Sequence, residues 1–216
     1  MSRACSTCSS LSRYRPSPLY GPVRDPNYIV GPGPDTPAIF GGVLEIIVAL
    51  ACIGTAVVLY PVVKRQNEAA ALGFVGVRVL EASTIFLCVV SLLSVVTLRQ
   101  AGVGADGLLA SQALVAFHDW IFLLGQGFLP AVNALLLGSL LYQSRLVPRV
   151  LPVIGFIGAA LLVVPVAATL FDLWGQLSAA SALLTLPIAV WEFSLGVYLI
   201  VKGFKPSPIT AAMATA

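Results

Sequence analysis

ALVAFHDWIFLLGQGFLPAVNALLLGSLLY, residues 113–142, is the stretch whose reading decides the fold. As a helix it is long enough to cross the roughly 30 Å of hydrocarbon in a bilayer. It holds the chain's one histidine, His118, beside Asp119, and Gln126 and Asn133 follow Asp119 at steps of seven. Seven residues are nearly two helical turns, so the spacing predicts one polar stripe on an otherwise apolar helix. Facing lipid, such a stripe would be costly. It should face other helices or an internal cavity.

Composition extends this reading to the whole chain. Of 216 residues, 58% are hydrophobic and only 10% charged, and the mean hydropathy is +0.97. Soluble domains carry about a quarter charged residues, so this is membrane composition. A net charge of +3 is too modest to imply a nucleic-acid partner. Five apolar spans are predicted, at about 38–63, 69–98, 113–142, 150–170 and 179–201. A backbone in lipid must pair its own amides, so spans of this length are helices. The fold class is therefore all-α, a polytopic transmembrane bundle over 36–204. Pro130 and Pro165 should kink their helices rather than stop them.

The connections orient the bundle. KRQNE (64–68), QSRLVPR (143–149) and the end with Lys202 and Lys205 are the basic ones, whereas the others hold Arg99, Asp106 and Asp172. By the positive-inside rule the first two connections and the C-terminus lie in the cytoplasm. Tyr60, Tyr142 and Tyr198 near the inner ends, with Trp120 and Trp174 near the outer ones, make an interfacial belt. The expected location is the plasma (inner) membrane.

Residues 1–35 differ from the rest. They are rich in Pro, Gly and Ser, carry Arg3, Arg13, Arg15 and Arg24, and contain no continuous apolar run. We expect a poorly ordered segment whose first 22 residues add nothing to the membrane core, and a disordered tail over 205–216. Cys5 and Cys8 form a lone CxxC without a second pair or a nearby His. Cys52 and Cys88 lie inside apolar spans as small hydrophobes.

Three segments carry a family likeness: NEAAALGFVGVRVLEASTIFLCVVSLLSVVTLRQ (67–100), LLYQSRLVPRVLPVIGFIGAALLV (140–163) and WEFSLGVYLIVKGF (191–204). From about Asp25 to Phe204 the chain resembles the prokaryotic multi-pass membrane proteins of domain-of-unknown-function family 4386. The resemblance implies an outer loop like RDPNYIVGPGPDT (24–36), with a further membrane helix ahead of it. Five spans with the C-terminus inside would leave an arginine-bearing N-terminus outside, so we expect either that this first helix is missing here or that the first twenty or so residues are not the natural start. No activity comes with the resemblance.

Axial counting sorts the ionisable groups of the spans into two layers. Glu45, His118 and Asp119 fall roughly 8–10 Å below the outer surface, and Gln126 and Asn133 continue that outer polar layer. Arg78, Glu81 and Glu192 fall roughly 13–18 Å from the cytoplasmic surface. Arg78 and Glu81, three apart, share a helix face. The inner layer has two readings: a substrate or proton path, or a structural tie in which Arg78 is neutralised by Glu81 or Glu192. His118 near two carboxylates could relay protons. Adjacent residues diverge by about 100° on a helix, so His118 and Asp119 do not share one ligand sphere, and no metal site is predicted.

No HExxH, phosphate-cradling loop or nucleophile–base set is readable. The glycines at 73, 76, 125, 138, 155 and 158 should let helices approach closely. We therefore expect a non-enzymatic integral membrane protein without a cofactor, with the lipid bilayer as partner, protein partners unassigned and a homo-oligomer open. The alternative is a small secondary transporter or proton-coupled permease using the intramembrane Arg/Glu cluster.

Overall fold

Residues 19–206 are described by the structure, a computed structural model. Among them all regular structure is helical: α1 Gly21–Arg24, α2 Thr36–Val63, α3 Glu68–Gln100, α4 Leu108–Leu124, α5 Leu129–Ser144, α6 Val150–Leu170 and α7 Ala179–Lys202. Two single 3-10 turns, Tyr28–Val30 and Gly104–Gly107, complete the list. Five spans are long and apolar enough to cross a membrane, with α4 and α5 together forming the third. The chain is a multi-pass membrane protein.

Local chemistry sets the helix boundaries. Asn67 caps α3 by accepting from the Ala70 amide at 3.0 Å, and Ser178 caps α7 by accepting from Ser181. Each cap satisfies an amide that has no intrahelical partner. Pro37 and Pro130 stand in the first turns of α2 and α5, where a missing N–H costs nothing. Along each span the exposed residues are large and apolar, such as Ile47, Val57 and Val58 on α2. Lipid takes the place of solvent there.

α3 is the central element, packing against α2, α4 and α5; α5 then packs on α6, and α6 on α7. Two main apolar cores result. One joins Leu59 and Val63 of α2, Phe74 of α3, Leu137 and Leu141 of α5, Leu162 of α6 and Trp191 of α7. The other lies at the opposite end, around Leu92, Val95 and Val96 of α3.

That second core overturns one expectation. Residues 19–35 are folded: Tyr20, Val23, Tyr28 and Ile29 are buried in it, together with Ala38 of α2. The segment's average composition hid four well-placed apolar anchors. The expectation that residues 1–22 stay out of the core therefore fails at Tyr20. Residues 1–18 and 207–216, including Cys5, Cys8 and most of the tail assigned to 205–216, lie outside the described part.

An ionic clasp closes this end. Arg99, in the last turn of α3, donates to both carboxylate oxygens of Asp35 (Nε to Oδ1 at 2.7 Å) and to the Gly31 carbonyl at 3.2 Å. Tyr28 donates to the same carboxylate, Gln100 adds a bond at 2.9 Å, and Arg99 lies over the Tyr28 ring at 5.3 Å. The Arg99 guanidinium, helped by Tyr28 and Gln100, holds the Asp35 carboxyl down at about 2, against an ordinary 3.8. Burial, and then the bond to Asp35, push Tyr28 up to about 12.

A depressed folded-state value means that the unfolded chain takes up the proton first as pH falls. The clasp's contribution is thus complete above about pH 5 and fades as pH drops through 4 towards 2. Asp35→Asn should be less stable than the wild type at pH 6, and the gap should narrow steadily towards pH 2. Detergent unfolding at a series of pH values measures it; a gap independent of pH would contradict the clasp.

A second correction concerns the third span. It begins at Leu108, not 113, because Ser111 is satisfied by the Leu108 carbonyl at 2.9 Å and sits in the helix at little cost. It is not one kinked helix: α4 ends at Leu124 and α5 starts at Leu129. Across the break, Gly127 bonds back to Phe122 and Leu129 to Gly125, while Pro130 has no amide to continue the ladder. Gly125 is needed there, since a Cβ would lie 2.3 Å from Thr84 Oγ1 of α3.

Candidate functional site

The deeper charged group is built around Arg78. It stands ten residues into α3, roughly 15 Å along the axis, and Glu192 stands ten residues before the end of α7. Its Nη1 donates to Glu81 Oε2 and its Nη2 to Glu192 Oε1, each at 3.0 Å. Nη1 also faces Cys52 Sγ of α2 at 3.6 Å, and Phe74 lies 5.9 Å beneath the guanidinium. Asn133 of α5 donates to Glu81 Oε2 at 2.6 Å. Three helices thus meet at one cation, and α5 joins them through Glu81.

This places Arg78, Glu81 and Glu192 together, as the axial count anticipated. It moves Asn133. The expected stripe of Asp119, Gln126 and Asn133 needs a continuous helix, and the break between α4 and α5 removes the continuity. Asn133 therefore belongs with Arg78, Gln126 lies in the break, and Asp119 remains near the other end. Cys52 and Asn133 were missed as members of this group. A signal was present for Asn133, since a buried Glu81 needs further donors; Cys52 only accepts from Arg78.

The other group joins α4 to the N-terminal segment. Arg24 of α1 grips Asp119 with both terminal nitrogens, at 3.0 Å (Nη1 to Oδ2) and 2.5 Å (Nη2 to Oδ1). His118 Nδ1 lies 3.0 Å from Asp119 Oδ1 and 3.3 Å from Arg24 Nη2. Tyr20 meets the His118 ring edge-on at 6.0 Å, and Phe122 stacks on it at 6.0 Å. The Cys88 thiol points at the His118 carbonyl at 3.8 Å. Glu45 and His118 stand nine and ten residues from the starts of α2 and α4, roughly 14–15 Å along each helix axis. The Tyr20 hydroxyl, already pushed up by burial, is pushed further by the Glu45 carboxylate beside it.

The segment's composition, that of a poorly ordered chain, gives no sign of the roles of Tyr20 and Arg24. Asp119, a carboxylate in an apolar span that holds no Lys or Arg, was the available clue, since it needs a cation from another segment. Among the described residues no three His, Cys, Asp or Glu side chains come together as metal ligands would.

Several helix contacts depend on missing side chains. A Cβ at Gly155 would lie 2.7 Å from the Trp191 ring, and one at Gly138 2.9 Å from Phe156. At Gly158 it would meet the backbone of Ile188 at 2.8 Å. Gly73 is in ordinary contact distance of Leu136 and Gly76 faces open space, so these two do not serve close approach.

Comparison with known proteins adds one finding. The family model described as Domain of unknown function (DUF4386) matches residues 8–203, a longer stretch than the three segments suggested. No curated protein and no solved structure matches.

Proposed function

We propose that this chain, which belongs to the Domain of unknown function (DUF4386) family, is a non-enzymatic integral protein of a prokaryotic plasma membrane, with its C-terminus in the cytoplasm. In this reading the Arg78 group is a structural tie. One observation carries it: Arg78 is held by Glu81 on its own helix and by Glu192 on α7, while Asn133 of α5 completes Glu81. α7 leans on α6 and scarcely on α3, so the ion pair supplies a direct link that packing does not. The orientation is supported by Lys64 over Tyr60 at 5.3 Å and Arg149 over Tyr142 at 4.9 Å, both pairs of the interfacial kind.

The alternative, a proton-coupled transporter, draws on the Glu192 carboxylate, whose side chain is 37% exposed and opens the group to the bundle surface. Two measurements separate the readings. Reporter fusions after Lys64, Arg145 and Lys202 should give cytoplasmic signals, and those at Gly104 and Gly175 external ones. In proteoliposomes with an imposed pH gradient, the protein should dissipate it no faster than protein-free vesicles do. Faster decay that disappears in Glu192→Gln would put transport first.

A further inference from the structure

Where α7 finishes and α6 begins, a groove of about 580 Å³ opens on the lipid-facing side of the bundle. Val150 and Leu151 of α6 form one wall, and Val197, Tyr198, Val201 and Lys202 of α7 the other. Pockets that take small molecules measure roughly 300–1,000 Å³, so the groove is of that class. Its α7 positions recur every three to four residues and share one helix face. Along that face it reaches Ser194, about 12 Å from Lys202 along the axis. Val150, Val197 and Val201 are exposed, so lipid can enter from the side.

The surroundings hold the groove in shape. Beyond α7 the chain turns at Gly203 with φ at 66°, and Phe204 packs on the first apolar core. The Lys205 amide then donates to the Leu146 carbonyl at 2.8 Å. The end of α7 is thereby fastened to the connection that leads into α6.

Charge decides what the groove takes. All nine Asp and Glu side chains of the sequence lie among the described residues, and none forms an ion pair with Lys202. The α2–α3 and α5–α6 connections share this end, since Val63, Ala71, Leu141 and Leu146 pack in one core with Phe204. Among the described residues there, Lys64, Arg65, Arg145, Arg149 and Lys202 stand against Glu68 alone. An occupant must offer an apolar chain to the walls and an anion at the level of Lys202. An anionic phospholipid is built that way, and basic pockets between membrane helices take such headgroups. A second copy fits less well. Two copies share one orientation in a membrane, so Lys202 would meet another basic end.

We propose that this groove binds one anionic phospholipid, an acyl chain lying against Leu151, Val197 and Val201 and the headgroup phosphate paired with the Lys202 ammonium. The site is independent of the Arg78 tie and of which membrane face carries the C-terminus.

Native mass spectrometry of the detergent-purified protein, titrated separately with phosphatidylglycerol and phosphatidylcholine, reads the occupancy. The first phosphatidylglycerol should bind about fivefold more tightly than phosphatidylcholine, the effect of one basic side chain at a membrane surface. Lys202→Gln should remove that preference, whereas Lys64→Gln, at the same end but outside the groove, should keep it. Val197→Trp, at an exposed position that leaves the core intact, should weaken both lipids by filling the groove. Equal binding of the two lipids, or equal losses in Lys202→Gln and Lys64→Gln, would overturn the site. So would a dimer abolished by Val197→Trp, since the groove would then hold a second copy.

Discussion

Arg78→Ala should lose about 3–5 kcal/mol of stability in detergent, the cost of leaving a buried partner charge uncompensated. The charge left behind is Glu81, which is buried and would keep only the Asn133 amide. Glu192→Gln should cost less, about 1 kcal/mol, because its carboxylate is partly open and the amide can still accept from Arg78. The double variant Arg78→Ala/Glu192→Gln should lose less than the sum, and Arg78→Ala/Glu81→Gln should show the larger coupling. Groups in direct contact couple by about 0.5–3 kcal/mol. Simple additivity in both cycles would show that the two ion pairs do not hold the bundle.

The second large effect is expected at Gly158. Its Cβ would meet Ile188 N and Cα at 2.8 and 2.9 Å and the Pro187 carbonyl carbon at 3.1 Å. These are backbone atoms, which cannot swing aside as a side chain can. Gly158→Ala should cost about 1–3 kcal/mol through overpacking, and Gly158→Leu should separate α6 from α7 outright. Gly76→Ala is the matched control: nothing lies within 4 Å, and an alanine in mid-helix should be neutral or slightly stabilising. Thermal unfolding of the three variants, followed by tryptophan fluorescence, makes the comparison. Equal stability of Gly158→Ala and Gly76→Ala would mean that the α6–α7 contact is looser than the backbone distances say.

The spans were legible in the sequence because lipid leaves the backbone no alternative. Four of the five run close to where hydropathy alone places them. The Arg78, Glu81 and Glu192 group was legible too, because depth follows from counting residues along helices. What counting cannot supply is rotation and interruption. Gly125 and Gly127 were readable as weak helix formers, yet only the proximity of Thr84 makes glycine necessary at 125. With the break unseen, Asn133 was carried to the wrong layer. The N-terminal segment was misread for a different reason. Its composition is that of a solvated chain, and its order comes from tertiary partners, Arg99 for Asp35 and Asp119 for Arg24, that lie far along the sequence.

The interruption between Leu124 and Leu129 has a mechanical meaning. A continuous third span would be a rod, transmitting any tilt at one membrane face to the other. Divided as it is, α4 travels with the N-terminal segment that grips it through Asp119, while α5 travels with α6 and its partner α7. Only α2 and α3 run unbroken through both assemblies. The break thus divides the third span between two groups that share α2 and α3, so that a tilt of α4 need not be passed on to α5.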